Sequence, residues 1–330
     1  MRKLTAEETQ GLNFQGDIES TKEWINQTLQ KIHRKMVELF SIDFVYFRDV
    51  KIIKQPELLK QLAKRMWSDL KESGAVYSND HMKQIFDSLS KNQVEGFFEN
   101  FAFYNPKDEI LYINENVITN HPDRVIPICT HELSEKLLST YLSKPPEAPT
   151  YVLNKKYIEA KRTNSIKKFC EYLDVYIDTV FKSVFKEGCC EAIALRTLRN
   201  TEYGLETASL EKELLTGYSK CIKLLFALET RRSTESAKKA EMHLQREGCQ
   251  SQEINADNLV KELFKCSQII KGLSYYLGYP LAKAVLEKYG IDGVKNASEK
   301  SPPLEAKYFA TPEDYLALLE ELQAVSEQRR

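Results

Sequence analysis

The chain has 330 residues, with 12 Gly and 11 Pro, 42% hydrophobic and 29% charged side chains. Tight-turned all-β, collagen-like and linker-rich architectures consume more Gly and Pro than this, and a disordered chain carries fewer apolar residues. With 47 Lys and Arg against 48 Asp and Glu, the net charge of −1 gives no overall attraction to nucleic acid or to anionic membranes.

Residues 18–40 place Ile18, Trp24, Ile25, Leu29, Ile32, Met36, Val37 and Phe40 three and four apart, which predicts an amphipathic helix. FVYFRDVKII at 44–53 is β-branched and aromatic and predicts a strand. A helix over 57–72 follows Pro56, and another is expected over 80–92. FFENFAFY (97–104), Asn105-Pro106-Lys107-Asp108 and EILYIN (109–114) read as strand, turn and strand. Helices are then expected at 123–143, 153–200, 206–232, 256–289 and 312–327, broken by PPEAP at 145–149 and by a polar loop at 233–255. The fold class is α+β, mainly helical, with a small sheet in the N-terminal half. We divide the chain into 1–122, the N-terminal helices and small sheet, and 123–330, the helical part.

Seven scattered cysteines (129, 170, 189, 190, 221, 249 and 266) form no CxxC pair, as expected of a reduced protein. The N-terminus lacks the apolar core of a signal peptide, and no apolar run approaches a membrane span, so a cytoplasmic location is expected.

One helix carries a chemical pattern. In CTHELSEKLLSTYL, His131 and Glu135 are four residues apart and so about 40° apart around the axis, with Glu132 beside them. An imidazole and a carboxylate one turn apart can grip one metal ion, and a neighbouring carboxylate can take a proton from metal-bound water. In VFKEGCCEAIALRTL, Glu187 and Glu191 repeat the four-residue spacing, with Cys190 on the same face. On a heavily charged chain the plain alternative is a solvated helix face. His33 and His81 have no partner pattern, His243 falls in the polar loop, and His121 in TNHPDR is read as neutral rather than as a helix cap or cleft residue.

Strand-turn-strand, then a helix opening HEL, then a later helix with EG resembles the gluzincin division of the zincin metallopeptidases. The tail YYLGYPLAKAVLEKYGIDGVKNASEKSPP with TPEDYL is similar to the ends of many zincin-like proteins. In pieces, the resemblance covers roughly 97–315. It implies a zincin-like fold in which 1–122 and 123–330 form one unit. His131 is then the first metal ligand, Glu132 the general base, Glu187 a further ligand, and Glu191 the carboxylate that orients His131. Tyr275 is the implied stabiliser of the oxyanion.

The departure is Glu135 where the family has its second histidine, giving HExxE. As a ligand, Glu135 would make the donor set harder, so that zinc competes with manganese or iron, or no metal binds. Cys190 is either a substitute soft ligand or, with Cys189, core packing. The expected function is a metal-dependent peptidase with a peptide or protein substrate laid along 109–114 as an added strand. The alternatives are an inactive zincin-like protein that binds a peptide or protein, and a purely helical interaction protein.

Overall fold

The computed structural model describes residues 18–72, 102–142, 150–163, 166–230, 269–270, 273–299 and 304–328. The expectations for 80–92, 145–149 and 233–255, for the first five residues of the 97–104 strand and for the first part of 256–289 lie outside the described residues. The architecture is mainly helical with a small sheet, as expected. In chain order the described elements are α1 (Ile18–Phe40), β1 (Asp49–Ile53), α2 (Gln55–Glu72), β2 (Ala102–Asn105), β3 (Ile110–Asn114), α3 (Glu115–Asn120), α4 (Pro122–Tyr141), α5 (Thr150–Thr163), α6 (Ile166–Leu198), α7 (Gly204–Cys221), α8 (Lys223–Glu229), α9 (Ser274–Glu299), α10 (Ala306–Ala310) and α11 (Pro312–Gln328).

Two compact units emerge: Met1–Thr140 with Ala194–Gly204, and Tyr141–Ile193 with Leu205–Arg330. The first unit holds both the sheet and α4 up to Thr140.

In the first unit the strand order is β1-β3-β2, with β1 parallel and β2 antiparallel to β3. All five residues of the central β3 are buried, which suits its apolar, aromatic sequence ILYIN. Leu58 of α2 clusters with Phe103, Ile110 and Tyr112 on one face of the sheet. The hairpin turn uses the expected chemistry. Asn105 Oδ1 accepts from Lys107 N at 3.2 Å, and Asp108 Oδ1 accepts from Ile110 N at 3.1 Å.

Three expectations need correction. The 44–53 strand begins only at Asp49. Before it, side chains rather than a neighbouring strand occupy backbone carbonyls: His33 Nε2 lies 2.7 Å from Phe44 O, and Lys136 Nζ donates to Tyr46 O at 3.1 Å. The single helix expected at 206–232 is two, joined at Ile222. A substrate strand cannot add along 109–114 either, because β3 has a partner on each side.

In the second unit α6 and α9 cross at glycines. A Cβ on Gly188 would fall on the backbone of Gly278, and a Cβ on Gly278 would fall on Val184 O and the Gly188 Cα. Only glycine allows this approach. α9 is kinked at Gly290, whose φ of 66° lies in the left-handed region. The helix expected to end at 289 therefore breaks at Gly290, and a second helical segment follows it to Glu299.

Candidate functional site

α4 presents Leu133, Leu137 and Leu138 to the core and keeps His131, Glu132 and Glu135 half-buried. Thr130 and Ser134 can be buried beside the leucines because their hydroxyls donate to Ile126 O and Thr130 O, at 2.7 and 2.9 Å.

The polar side of α4 faces the edge strand. Among the described residues β2 is an outer strand, and Tyr104 N–H donates to Glu132 Oε2 at 2.7 Å. The carbonyl of the same residue accepts from Arg65 Nη1 of α2 at 2.6 Å. Arg65 Nη2 lies 3.9 Å from Glu135 Oε1, with about a quarter of its side chain exposed (26%) and 19% of that of Glu135. Glu132 and Arg65 thus hold both outward backbone groups of Tyr104, and Glu135 faces the arginine that completes the clamp. Buried backbone groups need such partners, and charged ones make the stronger bonds.

The electrostatics follow from this packing. Burial first, then the charges of Glu109, Glu135 and Asp108, push the Tyr104 phenol up to about 12, with Arg65 opposing. Burial, with Glu132 nearby, holds the Cys129 thiol far above its ordinary range, so it is an inert core thiol.

Glu187, Glu191 and Tyr275 belong to the second unit. Glu187 and Glu191 are half-buried one turn apart on α6. The Tyr275 ring packs against Tyr276 at 4.2 Å. Burial, a hydrogen bond with Tyr276 and then the charges of Glu191 and Glu213 raise the Tyr275 phenol, which keeps its proton and can donate. Cys189 and Cys190 are fully buried, and burial raises the Cys189 thiol well above its ordinary value. That favours the core-packing reading of the pair.

A metal ion needs several donors converging on one point. Among the described residues, no group of three or more His, Cys, Asp or Glu side chains could hold one. Within the first unit the disposition of the donors explains this for α4. Oε2 of Glu132 accepts from the sheet, and Glu135 faces a guanidinium.

Sequence reasoning missed Arg65 and Lys136. Arg65 lies 39 residues from the strand it holds and has no local signature. Lys136 had one: a lysine set between the core leucines 133 and 137. No family model, no curated protein and no solved structure matches the chain.

Arg65→Met keeps the stem but removes the donor to Tyr104 O and the cation facing Glu135. It is expected to lower unfolding free energy by about 1–2 kcal/mol, read by urea denaturation, with partial exposure of the pair limiting the effect.

Proposed function

We propose that this chain is a diverged zincin-like protein that binds a peptide or protein through its sheet edge and does not hydrolyse it. One observation carries the reading: the residue in the position of the general base, Glu132, accepts the Tyr104 amide proton. A base for water must hold a lone pair toward that water. Here the carboxylate serves as a brace for β2, and Glu135, in place of the second histidine, faces Arg65.

The same clamp supports a peptide ligand. Glu132 accepts where a partner strand would offer a carbonyl, and Arg65 donates where a partner strand would offer an N–H. An incoming extended segment would exchange with those two side chains and complete a further ladder on β2. The ligand edge is therefore β2, not the central β3.

Metal analysis of the purified chain after equilibration with zinc, combined with a peptide-hydrolysis assay, tests the reading. The expected result is no stoichiometric metal and no turnover. Glu135→His restores a two-histidine motif, and zinc gained only in that variant would identify a lapsed metal site. One zinc per chain in the natural sequence, with hydrolysis that disappears in Glu132→Gln, would establish the peptidase instead.

A further inference from the structure

α4 also carries a buried charge that the zincin pattern does not use. Lys136 is only 4% exposed. Its ammonium donates to Tyr46 O at 3.1 Å and to Glu109 Oε1 at 3.3 Å, and lies 5.0 Å from the centre of the Tyr104 ring. Burying an ammonium costs several kcal/mol unless hydrogen bonds and a counter-charge offset it. The counter-charge here is loosely held, since the Glu109 side chain is 48% exposed and can leave for water. Glu109 also has a left-handed backbone, with φ of 60°, and such strain in a non-glycine residue clusters at ligand clamps.

Lys136 and Glu109 line a cleft of about 280 Å³ together with Asp43, Phe44 and Tyr104. Binding pockets for drug-sized molecules span roughly 300–1,000 Å³, so this one suits a ligand of amino-acid size. Its charges are one buried cation and two carboxylates on the outer side, Asp43 being exposed. A simple anion would meet both carboxylates, and a simple cation would meet Lys136. A zwitterion meets each with its opposite.

We propose that this cleft binds an α-amino acid, free or at the end of a short peptide, with its carboxylate replacing Glu109 on Lys136 and its ammonium on Asp43. Glu109 acts as an internal competitor for the lysine. The buried ammonium selects the carboxylate because a ligand that displaced Glu109 without replacing its charge would leave Lys136 unpaired. The proposal requires neither a strand added to β2 nor any metal, although the Tyr104 ring of β2 lines the cleft.

Isothermal titration of the full chain with leucine, glycylleucine, leucinamide and N-acetylleucine tests it. Leucine is expected to bind with a Kd in the roughly 0.1–1 mM range for so small a ligand. Glycylleucine matching or exceeding leucine assigns the site to a peptide end, and leucine alone assigns it to the free amino acid. Leucinamide, without the carboxylate, and N-acetylleucine, without the ammonium, should each bind at least about tenfold more weakly. Lys136→Met keeps the contact with the rings and should abolish binding. Asp43→Asn should weaken leucine several-fold, and Glu109→Gln should tighten it several-fold by removing the competitor. If Lys136→Met does not fold, the two variants on the outer side of the cleft decide the matter. No saturable binding of leucine or glycylleucine up to roughly 10 mM in either the natural chain or Glu109→Gln overturns the proposal, as does equal binding of leucinamide.

Discussion

Gly278→Ala is expected to destabilise the helical unit by about 3 kcal/mol or more, seen as a lower urea midpoint with an unchanged slope. Placed in an ordinary helix, the same change gains about 0.5–1 kcal/mol, because alanine loses less backbone entropy on folding. Geometry reverses the sign. The new methyl group would fall on Val184 O and the Gly188 Cα, both backbone atoms of α6 that cannot rotate away. Relief requires the two helices to separate, and that separation loosens a core in which Val184, Phe185, Leu277, Leu281 and Ala282 are almost wholly buried. Gly188→Ala meets the backbone of Gly278 from the other side and should cost a similar amount. Because both changes break one contact, the double variant should lose clearly less than the sum of the two, which a double-mutant cycle measures. Gly290→Ala differs: nothing lies near its Cβ, and only its left-handed φ of 66° opposes the change, so about 1 kcal/mol is expected.

These glycines show what a single sequence does and does not carry. The EG of α6 and the Tyr-x-x-Gly of α9 stood out as family-like marks, yet the reason for each glycine is the other one, 90 residues away. Local patterns were legible wherever the physics was local. The three- and four-residue spacing of α1, the Asn-Pro turn and the aromatic and β-branched hairpin strands all depend on near neighbours; α1, the turn and the 109–114 strand formed where expected, and of the 97–104 strand the described part, 102–104, did too. β1 was legible only in part. Its last five residues pair in parallel with β3, some 60 positions later, while Phe44 and Tyr46 give their carbonyls to His33 and Lys136. No periodicity reports a side chain that takes the place of a strand. The candidate site divides in the same way. The common face of His131, Glu132 and Glu135 follows from helical geometry, but what that face meets depends on Arg65 and on the edge position of β2, both set by long-range topology.

The role of Glu132 is where stability and chemistry can be separated. Glu132→Ala removes the acceptor of the Tyr104 N–H and leaves a half-buried amide without its charged partner. The expected loss is about 2–3 kcal/mol of unfolding free energy, in the range for an unsatisfied donor that had bonded to a carboxylate. Glu132→Gln keeps a side-chain carbonyl at the same reach, so it should lose about 1 kcal/mol or less, the difference between a charged and a neutral acceptor. Amide hydrogen exchange locates the effect: Tyr104 should exchange far faster in Glu132→Ala than in Glu132→Gln, while Tyr112, inside the sheet, changes only as global stability does. A general base gives the opposite pattern, since removing its charge abolishes turnover in both variants whatever happens to stability. Equal stability of Glu132→Ala and the natural chain would show that the Tyr104 bond is not what holds this carboxylate in place, and the non-hydrolytic reading would lose its support. If the alanine change instead weakens the sheet edge while the glutamine change leaves it intact, the carboxylate in the HEL motif acts as a structural acceptor. Tyr104 N–H would then be the group that a partner strand must win from it.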